Sequence, residues 1–224
     1  MNKPYPFSKP VLIALAMLVV LFYSDRYLLF FIIDNFSFPD ELVRPIVDLL
    51  KLTIIITMLI FYNKTNPPVT LGKIKINIFL TMILFLSFIT LVYFFANKKH
   101  DITIDMLLSS EETPIQRTLF FIFYFFIPPV IQEVVFRGVL FDQLKKYSTI
   151  IAFLVPTVFF LILYSNINYL RVSLLDIIAL GALSILLTLA RIKTGGVLLP
   201  IILNSLFNMA YFKIKYLELE HAFG

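Results

Sequence analysis

The sequence predicts an all-α, polytopic membrane protein: about seven transmembrane helices in one bundle, forming a single integral membrane domain over residues 1–224. Two observations carry this reading. Hydrophobic residues make up 60% of the chain and mean hydropathy is +0.93, above the apolar content of a soluble domain. The apolar residues are also gathered into runs of about 18 or more, the length a helix needs to cross a bilayer core.

The runs fall at 10–33, 43–62, 77–96, 115–141, 149–165, 172–190 and 197–213. Lys3 and Lys9 precede the first in the manner of a signal peptide. No small-residue cleavage pattern follows, so it is read as a retained span. Asp25 and Arg26 interrupt it and are read as a break near the interface. Thr113 and Pro114 supply an N-cap and a first-turn proline for the fourth span. Pro128 and Pro129 lie inside that span, where they free the carbonyls of Tyr124 and Phe125 and bend the helix one turn before Gln132. In lipid, carbonyls so freed must face protein or water. The stretch 101–112 reads as a short interfacial helix or a loop.

Composition narrows the function classes. Cysteine is absent, which removes disulfides, thiolate chemistry and Cys-ligated metals. His100 and His221 both lie outside the apolar runs. The net charge is +5, but the cations are scattered over loops, so nucleic acid is not an expected partner. With the N-terminus inside, nine loop cations, among them Lys64, Lys73, Lys75, Lys145, Lys146, Arg191 and Lys193, fall inside and seven outside. The bias favours N-inside and C-outside. Usage rich in Phe, Ile, Lys and Asn suits a low-GC Gram-positive bacterium, so the expected location is a bacterial plasma membrane, with multiple passes.

Polar residues inside spans are the candidate functional residues. Each ionisable group there costs roughly 2.5–3.5 kcal/mol on insertion scales and faces the bundle interior or a cavity by default. Glu133 and Arg137 share a helix face at i, i+4 and can pair, either to lock the span to its neighbours or as part of a catalytic site. Gln132 lies on the adjacent face. Asp48 and Lys51 form a second pair, read as a solvated or interfacial helix end, and Asp176 is read as partly solvated. Asn204 and Asn208 sit at i, i+4 on the seventh span, where asparagine commonly bonds a neighbouring helix. Tyr164 ends the fifth span, the place of an aromatic-belt residue.

Three stretches that carry these positions, taken in order, resemble the motifs of the intramembrane CAAX-protease and bacteriocin-processing (CPBP, or Abi) family. The family patterns are Glu-Glu-x-x-x-Arg, Phe-x-x-x-His and His-x-x-x-Asn. "QEVVFRG" is similar to the first, with Gln132 in place of the first glutamate and Glu133 and Arg137 retained. "FLILY" is similar to the second, with Phe160 retained and Tyr164 in place of histidine. "NSLFN" is similar to the third, with Asn204 in place of histidine and Asn208 retained. The resemblance covers roughly 114–210 and implies a CAAX-protease-like core within the bundle.

In that family, the first glutamate and the two histidines are held to activate or orient a water for attack on a peptide bond, and the asparagine to stabilise the oxyanion. The resemblance therefore implies candidate catalytic positions at Glu133, Arg137 and Asn208, and substituted positions at Gln132, Tyr164 and Asn204. None of the substituted groups takes up a proton near neutral pH, and nitrogen ligands for a metal are missing, so no cofactor and no metal are expected. The reading that follows is a proteolytically inactive pseudoprotease. It would act as a membrane scaffold or regulator of an integral membrane partner, such as a sensor kinase or cell-wall enzyme, with the lipid bilayer as its other partner. One alternative is an active intramembrane endopeptidase using Glu133 as base. Another is a transporter or lipid-handling protein, although no repeat symmetry between halves is visible.

Overall fold

A computed structural model describes residues 9–36, 40–64, 66–96, 118, 121–123, 125–167 and 173–223. Among them there are long helices and no strand. Helix α1 spans Lys9–Asn35, α2 Asp40–Asn63 and α3 Ile76–Ala96. The fourth span resumes as α4, Ile127–Glu133, passes through a π-helical segment, Val134–Leu140, and ends as α5, Phe141–Lys145. Then come α6 Thr149–Ile167, α7 Leu174–Thr194 and α8 Leu198–Phe223.

Four stretches are long and apolar enough to cross a membrane: Pro45–Asn63, Ile76–Ala96, Phe121–Lys145 and Leu174–Thr194. Val11–Tyr23, Thr149–Tyr164 and Leu198–Tyr211 are shorter apolar helices. Each matches one predicted run. The helix α1 runs unbroken through Asp25 and Arg26, so the expected break there does not occur. Thr113, Pro114, the stretch 101–112, Tyr124 and His100 lie outside the described residues, as does the side chain of His221.

Burial separates the centre of the bundle from its lipid-facing rim. The Phe121–Lys145 window is 65% buried, against 17% for α3, so the fourth span is the central element. Its π-helical segment packs against α1, α6 and α7, and α4 packs against α2 and α8. On α3, Leu80, Leu84 and Phe88 recur at helical spacing and are exposed. In a bilayer that face meets acyl chains, where apolar exposure carries no penalty.

The prolines begin a new helix, where the sequence predicts a bend within one helix. Phe126 is a turn residue, and Pro128 and Pro129 occupy the first turn of a fresh helix, where their missing N–H groups cost no ladder bond. A second irregularity follows at once. Phe141 N–H bonds Phe136 O, five residues back, so Arg137 O is left out of the ladder. π-helical turns of this kind concentrate at functional sites.

One end of the bundle is tied by the α2–α3 connection. Lys73 N donates to Thr194 O at 3.1 Å, Val197 N to Thr70 O at 3.0 Å and Leu198 N to Leu71 O at 3.1 Å. The approach is so close that a Cβ on Gly196 would overlap the backbone of Leu71. Gly195, at φ 69°, provides the left-handed C-cap that ends α7. Lys146 Nζ reaches Asn66 Oδ1 at 3.1 Å. The ends of α2, α5 and α7, with Lys64, Lys73, Lys145, Lys146, Arg191 and Lys193, therefore gather at the same end, as alternating spans require.

Two readings of polar residues change. Asp48 is 0% and Lys51 4% exposed, 3.7 Å apart, so this pair is buried between helices instead of solvated. Asp176 is also 0% exposed. Its Oδ1 accepts from Tyr93 Oη at 2.5 Å and Tyr211 Oη at 3.3 Å, and its Oδ2 from Ser173 N and Oγ at 2.8 Å. Ser173 and Asp176 form a capping box at the start of α7, and the two tyrosines join it to α3 and α8. Full hydrogen bonding replaces the water that the sequence reading had assigned to Asp176.

Candidate functional site

Gln132 and Glu133 end α4 at the bundle centre, and Arg137 lies one turn on, in the π-helical segment. Glu133 and Arg137 are both completely buried. Arg137 Nη1 donates to Glu133 Oε1 at 3.0 Å. Its Nη2 donates to Ser184 Oγ at 2.6 Å and Ser184 O at 3.3 Å, on α7. The guanidinium lies 4.7 Å from the ring centre of Phe160 and 5.7 Å from that of Phe136, within cation–π range. Phe160 thus retains a contact role beside the motif arginine.

From α8, Asn204 Nδ2 donates to Glu133 Oε1 at 2.8 Å and to Gln132 Oε1 at 3.1 Å. Gln132 and Glu133 occupy neighbouring helix faces, and one asparagine bridges both. From α6, Tyr164 Oη lies 2.8 Å from Asn208 Oδ1 and 3.3 Å from both Gln132 Oε1 and Asn204 Oδ1. A phenol has one proton to give, so Asn208 is its principal acceptor. Tyr164 is buried, in the bundle interior and away from any aromatic belt. All six positions singled out in the sequence converge on one polar cluster joining α4, α6 and α8.

The cluster has three loose ends. Glu133 Oε2, Arg137 Nε and Ser205 Oγ are buried without a hydrogen-bond partner. Glu133 Oε1 receives two donors, Arg137 Nη1 and Asn204 Nδ2, so that oxygen is engaged by protein partners. Gln132 and Asn204 are amides, able to give and accept hydrogen bonds but not to carry a proton between substrate and water. The arrangement can orient a polar group. It offers no free base at the position where the family places one.

Several participants were not anticipated. Ser184 anchors Arg137, and Arg191 does more. Its Nε donates to Arg137 O at 2.8 Å, the carbonyl released by the π-helical turn, while its Nη2 meets both carboxylate oxygens of Asp142 at 2.9 Å. The signal was present: Ser184, Thr188 and Arg191 recur at i, i+4 and i+7, a polar stripe on an otherwise apolar helix. Arg191 had been counted only as a loop charge.

Comparison with known families finds one match. Residues 114–210 match the family model described as Rce1-like, type II CAAX prenyl endopeptidase. This segment is similar to a CAAX-protease core. The chain as a whole is a CAAX-protease-like, multi-pass membrane protein. No curated protein and no solved structure matches it.

A metal would need donors that this CAAX-protease-like site does not assemble. No group of three His, Cys, Asp or Glu side chains occurs among the described residues. The motif positions supply three amides, a phenol and one carboxylate already paired to arginine, whereas zinc sites draw on imidazole, thiolate and carboxylate donors. The residues present do not fit a catalytic zinc.

Proposed function

We propose that this protein is a non-proteolytic member of the CAAX-protease family that acts in a bacterial plasma membrane as a scaffold or regulator of an integral membrane partner. One observation carries the reading: the only carboxylate in the motif cluster, Glu133, is fully buried, with Oε1 bound to both Arg137 and Asn204. Beside it, the position of the family's base holds Gln132, itself bound to Asn204. What the substitutions preserve is a set of interhelical bonds, and these favour a rigid bundle presenting fixed outer faces. Crosslinking in the native membrane, followed by purification of the full chain, tests this. The same integral membrane protein should be recovered intact with the wild type and with Gln132→Ala. Recovery of cleaved membrane fragments that disappear in Gln132→Ala would overturn it.

A second reading has one observation in its favour. Glu133 Oε2 is buried and unpartnered, a place where a water could be held and polarised. An endopeptidase using Glu133 would lose all cleavage in Glu133→Gln while keeping normal expression. Loss of expression instead would assign Glu133 to structure.

A further inference from the structure

The polar cluster is not the only concave feature. A groove of about 320 Å³ runs along the outside of the bundle, between the N-terminal halves of α1 and α6 and the helix α5. Its walls include Leu15 and Leu18 of α1, Leu144 of α5, and Val155 and Phe159 of α6. None of the motif residues lines it. Leu15 is 43% and Tyr147 62% exposed, so the groove is open at its side and at its end.

The walls offer water almost nothing. Gln143 is the one amide in the lining, and its bonds are committed: Nε2 to Tyr62 Oη at 2.5 Å and Asn66 Oδ1 at 3.1 Å, Oε1 to Lys146 Nζ at 3.0 Å. An apolar groove open to a bilayer fills with hydrocarbon. The end of the groove is different. Lys145 and Lys146 are adjacent and exposed where α5 stops, directly beside Gln143 and Tyr147. Both carboxylate oxygens of the neighbouring acid, Asp142, are bonded by Arg191 Nη2, and Lys146 Nζ bonds only neutral oxygens, of Asn66 and Gln143, so this end carries a net positive charge. Apolar walls leading to paired ammonium groups at a membrane interface are complementary to an amphiphile with an anionic head.

We infer that this groove binds one acyl chain of an anionic membrane phospholipid, with its phosphate held by Lys145 and Lys146. The site lies mostly outside the motif cluster, and α1, which forms one wall, precedes the segment matched by the family model. It is independent of whether the cluster is catalytic.

The chain contains no tryptophan, which gives a direct test. Tyr147→Trp places a single reporter at the groove mouth. Leu84→Trp, 71% exposed on α3, places one on a lipid-facing surface away from it. Each full-length variant is reconstituted in phosphatidylcholine vesicles with a small fraction of chain-brominated phosphatidylglycerol or phosphatidylcholine, and quenching is compared. At Tyr147→Trp the anionic lipid should be preferred on the order of tenfold, from two interfacial cations. The preference should vanish when Lys145→Gln and Lys146→Gln are added, and should be absent at Leu84→Trp. Equal preference at both reporters, or a preference that survives loss of the lysines, would overturn the proposal. So would failure of either lipid to quench Tyr147→Trp, the result expected if protein covers the groove.

Discussion

Arg137 is the residue on which the interior depends most. It neutralises Glu133, anchors to Ser184 on α7 and lies against Phe160 on α6, with no exposure. Arg137→Ala leaves a buried carboxylate uncompensated, a loss of about 3–5 kcal/mol. Unfolding of the purified protein in mixed detergent micelles should show it as a large shift in midpoint. Glu133→Gln combined with Arg137→Met should recover most of that loss, because both charges go together while Asn204 keeps an acceptor. Equal instability of the single and double variants would show that the pair matters for its individual contacts and not for its charge balance. Tyr164→Phe removes a single hydroxyl and should cost only about 1 kcal/mol, the scale of one interhelical hydrogen bond in a membrane protein. The six motif positions were legible because their spacing along three apolar spans is itself a pattern. Their partners were less so. Ser184 and Arg191 were visible as a stripe, but nothing in the chain said which helix that stripe would meet. Asp48, Lys51 and Asp176 were misread because a span end looks the same in sequence whether water or a tyrosine from another helix satisfies the carboxylate.

At the scale of elements, the central span is defined by its two departures from α-helical geometry. The restart at Pro128 and Pro129 was readable, since proline has no N–H to give. The π-helical turn was not, because no residue type demands it; the chain accommodates it through Gly138, where a Cβ would press on Val69, and through Arg191, which bonds the released carbonyl. Arg191→Gln should therefore lower amide-exchange protection over residues 134–141 more than over α7. Uniform loss of protection across the bundle would instead mark Arg191 as a general stabiliser. The two glycines after α7 should also separate. Gly195→Ala meets open space and suffers only the left-handed backbone, about 1 kcal/mol. Gly196→Ala would collide with the α2–α3 connection and should destabilise the protein much more, read in the same unfolding assay.

At the scale of the whole molecule, five of the apolar runs are single helices close to their expected limits, because bilayer thickness dictates length and leaves little freedom; among the described residues the fourth is interrupted and the seventh continues to Phe223. Orientation is set more weakly, by loop cations. The absence of cysteine makes it directly testable. Tyr147→Cys, at the lysine-rich end, should react with a membrane-impermeant maleimide only after permeabilisation, and Leu174→Cys, at the opposite end, without it. The reverse pattern would place the N-terminus outside. Function is the least legible level, because a substituted protease core can serve several roles with the same interior. The central proposal is that this core, similar to the family's over residues 114–210, lacks the family's proton chemistry. The most direct measurement is cleavage by the purified wild type, reconstituted in liposomes with a panel of prenylated and transmembrane peptides, with Glu133→Gln as the background. Turnover indistinguishable from Glu133→Gln is the expected result. Cleavage by the wild type that is lost in a folded Glu133→Gln variant would contradict it.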